Sequence, residues 1–179
     1  MIEGVDKKIS FDEAKATVLE ALKPMGDDYL KILQEGFNNR WIDIYENEGK
    51  RNGAYSWGPY GTHPYVLLNH NDDFDSMFTL AHEMGHALHS YYSNKTQPYV
   101  YAGYQIFVAE VASTVNEVLL LKYLLKTTTD EKLKKYLLSY YMDMLKGTLF
   151  RQTQFAEFEY IAHDMAEKGQ PLTKDSLNE

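Results

Sequence analysis

A mainly α-helical fold with a small β element ahead of its central helix is what this sequence predicts, and three observations carry the expectation. Apolar residues recur at helical spacing in most segments. Turn formers crowd into one region between residues 49 and 61. One compact β-prone run, Tyr65-Val66-Leu67-Leu68-Asn69, follows directly behind that region. At 179 residues the chain is long enough for one domain with a sizeable core.

The elements follow in order. Ser10-Phe11-Asp12-Glu13 has capping-box spacing and predicts a helix that stops before Pro24. A second helix is expected from about Asp27 to Gly36, with Tyr29, Ile32 and Leu33 on its inner side. Gly53, Gly58, Pro59 and Gly61 leave room for short strands at most before the 65–69 run. Asp72, Asp73 and Asp75 read as a cap and a complement to the positive end of the next helix, in preference to a second metal site. That helix presents Phe74, Met77, Phe78, Ala81, Met84, Gly85 and Leu88 as a core face, where Gly85 admits the close approach of another backbone. A loop is expected from Tyr91 to Gly103. The next helix, Tyr104 to Leu121, is apolar on most sides, with a narrow stripe of Glu110, Ser113 or Thr114, and Glu117. A long helix is expected from about Asp130 to Lys168, ending at Gly169-Gln170-Pro171, with Leu137, Tyr141, Met144, Leu145, Thr148 and Phe155 packed on the core. Thr173-Lys174-Asp175-Ser176 looks like the start of a further helix that the chain does not complete, as a truncated domain would show.

Composition narrows the function classes. A net charge of −8 with no basic block disfavours nucleic acid as a partner. The absence of cysteine excludes a disulfide framework and a thiolate metal site, and fits a reducing compartment. Met1-Ile2-Glu3-Gly4-Val5-Asp6 lacks an apolar signal core, and Glu110, Glu117 and Lys122 interrupt the best apolar run, so no membrane partner is expected. Fifteen tyrosines are many, and they divide between ordinary core or surface positions and the lining of a peptide groove.

The segment His82-Glu83-Met84-Gly85-His86 carries the chemistry. Residues four apart share a helix face, so both imidazoles can point at one zinc ion. Two imidazoles and a third ligand leave a fourth position for water, whose pKa falls from 15.7 to roughly 7, and Glu83 stands beside it as general base. His89 is an unsuitable third ligand, because a continuous helix carries it roughly 10 Å along the axis from His82. Glu110 suits better: a carboxylate in an apolar helix needs a compensating partner, and zinc is one. Glu117, two turns on, could fix the tautomer of a ligand imidazole. The competing reading has this stripe facing solvent or a basic side chain.

The run Ala81-His82-Glu83-Met84-Gly85-His86-Ala87-Leu88-His89, with Phe107-Val108-Ala109-Glu110-Val111-Ala112-Ser113-Thr114-Val115-Asn116-Glu117, resembles oligoendopeptidase F of the thimet-oligopeptidase-like zinc metallopeptidases. Stretches 60–69 and 150–159 match as well, so the resemblance covers nearly the whole chain. It implies one zinc ion on His82, His86 and Glu110, Glu83 as catalytic base, and a helical zincin-type metallopeptidase core that cleaves oligopeptides in the cytoplasm. It also implies an edge strand that pairs with extended substrate, with Gly61, Thr62, His63 and Tyr65 as the contact zone. Family members are several times longer, and their later helices supply a His and Tyr cluster for the oxyanion, which His163 does not match. Residues 1–179 are therefore expected to be a partial catalytic domain, with self-association through uncovered surfaces. The alternative expectation is a zinc-binding but catalytically weak fragment that serves as an interaction or structural helical module.

Overall fold

The computed structural model describes residues 7–178, so the expectation for Met1–Asp6 lies outside the described residues. The chain divides into two compact units, one running to Thr129 and the other starting at Asp130.

In the first unit, α1 (Phe11–Ala21) starts where the capping box predicts, with the Ser10 hydroxyl accepting from the Glu13 backbone N–H at 3.2 Å. Phe11, Ala14, Val18 and Ala21 form its buried face. Pro24 then sits in a short 3₁₀ turn, Lys23–Met25, where its missing N–H costs little. The second helix, α2 (Asp27–Asn38), buries Ile32, Leu33 and Gly36, and Tyr29 is half-buried beside them. Three short strands follow: β1 (Ile42–Asp43), β2 (Tyr55–Trp57) and β3 (Tyr65–Leu67). Lys50 holds the β1–β2 loop by donating from Nζ to the Tyr45 carbonyl at 2.6 Å.

The sheet corrects one expectation. Strand β3 is central, parallel to β1 and antiparallel to β2, with Val66 opposite both Ile42 and Ser56. Its backbone is already paired on both sides, since Val66 N–H also reaches Trp41 O at 2.7 Å and Leu68 N–H reaches Asp43 O at 2.8 Å. Residues 65–67 therefore cannot be an edge for a substrate strand. The unpaired edge on the hairpin side belongs to β2.

Helix α3 (Phe74–Thr96) is capped by Asp73, whose carboxylate accepts from the Ser76 N–H at 2.8 Å. Its expected core face is buried throughout, from Phe74 to Leu88. The predicted loop from Tyr91 to Gly103 is mostly helical instead. Helix α3 runs on to Thr96, and a short helix α4 (Tyr99–Ala102) follows Pro98. Tertiary contacts hold the extension: Ser93 donates to Ala102 O at 2.6 Å, and Asn94 donates to Gly58 O at 3.0 Å. Helix α5 (Ile106–Thr127) lies against α3. A Cβ added at Gly85 would stand 2.7 Å from Ser113 Cα and 2.8 Å from Ala112 O, so at this point the two backbones touch.

In the second unit, α6 (Glu131–Leu145) is capped by Asp130 and passes through a π turn, Lys146–Phe150, into α7 (Arg151–Glu167). Near the predicted end, Gly169 takes a positive φ of 70° and Gln170 N–H bonds to Met165 O at 2.9 Å. The apolar stripe is buried only in part, which corrects the expectation for its later residues. Leu137 is buried, and Tyr141, Met144 and Leu145 are half-buried, but Thr148 and Phe155 are exposed. Within this unit α7 continues from α6 through the π turn, so neither helix folds back over the other's apolar face. Where the start of a further helix was expected, residues 174–178 form a turn, with Ser176 N–H donating to Thr173 Oγ1 at 3.2 Å.

Two measurements check this packing. Gly85→Ala is expected to destabilise the protein by roughly 1–3 kcal/mol in chemical denaturation, because backbone atoms cannot yield to a methyl as a flexible side chain can. Burial pushes the Tyr29 hydroxyl up to about 12 from an ordinary value near 10. Since the folded state holds this proton more tightly, stability falls as pH rises from about 10 to 12. Tyr29→Phe is expected to flatten that alkaline decline in a pH series of melting temperatures.

Candidate metal centre

Five side chains from α3 and α5 converge. His82 and His86 sit one turn apart on α3, and their Nε2 atoms are 3.1 Å apart. Glu110 comes from the first turns of α5, with Oε2 at 3.3 Å from His82 Nε2 and 3.4 Å from His86 Nε2. The Gly85–Ser113 contact sets this register, because Ser113 lies three residues past Glu110 and four before Glu117. Ser113 also donates its hydroxyl to the Glu110 carboxylate at 2.8 Å, which aims the exposed Glu110 side chain back toward the imidazoles.

Donor chemistry provides a fit test for zinc. Glu117 accepts from His82 Nδ1 at 2.5 Å, so that nitrogen carries the proton and Nε2 presents its lone pair. The His86 ring bonds to the backbone of Ala109, which orients it similarly. Two imidazole lone pairs and a carboxylate oxygen at 3.1–3.4 Å repel one another unless a cation or proton lies between them. Tetrahedral zinc with bonds of about 2.0–2.1 Å separates its ligands by roughly 3.3–3.4 Å. The residues fit. Among the described residues, His82, His86 and Glu110 are the one such group of metal-binding type.

Glu83 stands apart from the three donors. It is buried, and its Oε2 has no hydrogen-bond partner. Desolvation raises its pKa to about 7, helped by the Glu110 and Glu117 charges and opposed by His82. Burial also pulls the His82 pKa down, but Glu117, Glu83 and Glu110 outweigh it and the result is raised. His86 is lowered by burial and by the neighbouring imidazoles. A cation held by the three donors would oppose the rise at Glu83, and a buried carboxylate with a free oxygen beside a cation site has the properties of a proton shuttle.

His89 continues along α3 and stacks on Tyr104, with ring centroids 3.8 Å apart, so it lines the neighbourhood without joining the donors. Gly61, Thr62 and His63 belong to a turn that leads into Tyr65, the first residue of β3. Gly61 has a φ of 85°, His63 stacks on Trp41 at 5.6 Å, and the Thr62 and Tyr65 hydroxyls are 3.4 Å apart. Among the described residues, their bonds and ring contacts do not reach the five converging side chains. The sequence reading missed Asn116. Fully buried, it donates to Ala81 O at 3.0 Å and accepts from the Tyr29 hydroxyl at 3.0 Å, tying α5 and α2 to the turn that carries His82. Its place beside Glu117 in an apolar helix was the available signal.

A family model described as Peptidase family M3 matches residues 8–179. The chain belongs to peptidase family M3. It is 52% identical to Oligopeptidase PepF of Bacillus subtilis over 99% of its own length and 26% of that protein's. It is 48% identical to an oligoendopeptidase F homolog of Borreliella burgdorferi, covering 100% of itself and 31% of the relative. This M3 chain thus spans about a quarter to a third of these relatives. A crystal structure from Chlamydophila abortus superposes with a TM-score of 0.82 at 46% identity, over 94% of this chain and 29% of that one. Oligoendopeptidase-F from Enterococcus faecium superposes with a TM-score of 0.53 at 37% identity, over 96% of this chain and 25% of that one. The mainly helical fold with a small sheet before the 82–86 helix agrees with this membership.

Replacing Glu117 tests the centre directly. Glu117→Gln is expected to weaken zinc binding by about 10–100-fold in competition with a chromophoric chelator, while leaving one equivalent bound at saturation.

Proposed function

We propose that this chain is the metal-binding catalytic core of a zinc endopeptidase that cleaves short oligopeptides. In this reading His82, His86 and Glu110 hold one zinc ion, Glu117 orients His82, and Glu83 is the general base. The observation that carries it is the close approach of three donor atoms, within 3.1–3.4 Å, beside a buried carboxylate with an unpartnered oxygen. Zinc supplies Lewis acidity, polarising a carbonyl and bringing the pKa of water to roughly 7. Glu83 takes the proton of the attacking water at its carboxylate and passes it to the leaving amine. Its burial keeps bulk water away from that proton.

Substrate main chain would lie along the free edge of β2, where Tyr55 and Trp57 are exposed and Trp57 stands opposite the exposed Tyr65. Gly61, Thr62, His63 and Tyr65 remain proposed contacts, now through the turn and its side chains. No helix among the described residues is long and apolar enough to cross a membrane. A cytoplasmic site of action belongs to the same proposal and agrees with the lack of cysteine.

One observation favours a second reading, a zinc-binding module of low activity that associates with itself or a partner. Ile106 and Phe107 at the start of α5 are 90% and 92% exposed, beside exposed Tyr99, Val100 and Tyr101.

A quenched oligopeptide and a metal assay on one sample separate the two. Cleavage is expected to be abolished by chelator and to fall at least about 100-fold in Glu83→Gln with zinc content unchanged. Wild-type protein that keeps its zinc without turnover would leave the module reading standing.

A further inference from the structure

Asn52-Gly53 is the one place in the chain where glycine follows asparagine. It lies in the β1–β2 loop, where Arg51, Asn52 and Gly53 are all exposed and Gly53 takes a positive φ of 87°. An asparagine side-chain carbonyl carbon lies within reach of the next backbone nitrogen, and a bond between them closes a five-membered imide. A side chain on the following residue hinders that closure, and glycine has none. A Cβ placed at Gly53 would meet nothing within 4 Å, so the space beside the junction is open. Among the described residues, no acceptor engages the Gly53 N–H, which leaves the nucleophile uncommitted.

The turn is nonetheless held from across the loop. Asn69 donates Nδ2 to the Arg51 carbonyl at 2.9 Å and to the Gly53 carbonyl at 2.8 Å, bracketing Asn52 on both sides. Asn69 is itself fixed, because the Leu68 and His70 N–H groups reach Asp43 O and Ile44 O at 2.8 and 2.9 Å. One amide nitrogen thus serves two carbonyls whose separation is set by the main chain through Asn52. Any change in the length of that chain breaks the fit.

We infer that Asn52 is a site of spontaneous deamidation in the folded protein, and that isoaspartate formed there releases the turn from Asn69. The Gly53 nitrogen gives up its proton and bonds to the Asn52 side-chain carbonyl carbon. The bond from that carbon to the amide nitrogen breaks, and ammonia leaves with the proton. Water then opens the imide, with no oxidation or reduction. Cleavage at the former side-chain carbonyl gives aspartate. Cleavage at the main-chain carbonyl gives isoaspartate, whose main chain is longer by one carbon, about 1.5 Å of bond. Both products add a negative charge to a chain already at −8, but only isoaspartate alters the span that Asn69 bridges. The site stands apart from the peptidase reading, since the metal-type donors His82, His86 and Glu110 lie on α3 and α5.

The test incubates the full chain at neutral pH and maps its peptides by mass spectrometry, with a methyltransferase label for isoaspartate. Asn52 is expected to gain the mass of an amide-to-acid change while Asn47, which Glu48 follows, stays intact over the same period. Asn52→Gln, whose longer side chain would need a six-membered ring, is expected to abolish the gain. Asn69→Ala frees both carbonyls and is expected to speed the reaction at least about fivefold, as the loss of one net hydrogen bond implies. Separated isoaspartyl protein is expected to melt below Asn52→Asp, which adds the charge without the extra carbon. An Asn52 that stays intact in the folded chain, over the time in which the urea-unfolded chain loses its amide, would overturn the site. A rate unmoved by Asn69→Ala, or isoaspartyl protein that melts together with Asn52→Asp, would overturn the role of Asn69. The melting comparison alone decides that point should Asn69→Ala fail to fold.

Discussion

Backbone contact between α3 and α5 at Gly85 and Ser113 is the constraint from which the rest of the site follows. The contact falls in the middle of both functional segments, between His82 and His86 on one helix and between Glu110 and Glu117 on the other. With a side chain at position 85 the helices would separate, and the Glu110 oxygen could not stay 3.3–3.4 Å from both imidazoles. A glycine inside a helix costs roughly 1 kcal/mol relative to Ala. That cost is offset here by packing which also aligns a donor set. Asn116 reinforces the same junction from three residues along, by capturing the Ala81 carbonyl just before His82.

Charge balance explains why these carboxylates can be gathered so tightly. Glu83, Glu110 and Glu117 surround two imidazoles, and with both rings neutral the cluster carries three negative charges. One proton shared between His82 and Glu117, at 2.5 Å, relieves part of the repulsion, and a divalent cation between the other donors would relieve most of the remainder. Glu83 is left as the adjustable member. It is buried with no hydrogen bond on Oε2, and desolvation more than its neighbours' charges raises its proton affinity. The group with the freest oxygen is the one suited to move a proton, while the tethered ones are suited to hold a metal.

Much of this was legible in the sequence, and the boundary of legibility has physical causes. His82, Glu83 and His86 are readable because their relation is local, fixed by helix geometry alone. Glu110 and Glu117 are readable because carboxylates in an otherwise apolar helix demand a partner. The Ser10 and Asp73 caps are local in the same way. The central position of β3 was not readable, because it depends on β1, a two-residue strand whose Ile42-Asp43 carries no periodic signal. The continuation of α3 past Tyr91 was not readable either. Ser90-Tyr91-Tyr92-Ser93-Asn94 is a poor helix former, and the helix persists there through Ser93 to Ala102, Asn94 to Gly58 and Ser90 to Tyr104, all contacts made in tertiary structure. The apolar stripe of α6 and α7 shows the converse: a pattern predicts a face that wants covering, not the element that covers it.

The candidate metal donors and the proposed peptide contacts come from different ranges of the fold, which separates them physically. Every candidate ligand, its orienting partner and the general base come from two helices in contact, so the centre needs little beyond α3 and α5. In the proposed reading, recognition of a peptide would draw on dispersed elements: the free edge of β2 and the turn that leads from Gly61 into Tyr65. The chain spans about a quarter to a third of the curated relatives it matches, and the donor set it brings together lies within one compact unit. The affinity of the centre for zinc depends on donor positions fixed by packing within one unit. Turnover depends in addition on how many of the surfaces that align a peptide and stabilise its oxyanion act together, and losing one oxyanion donor alone typically costs about 10²–10³ in rate.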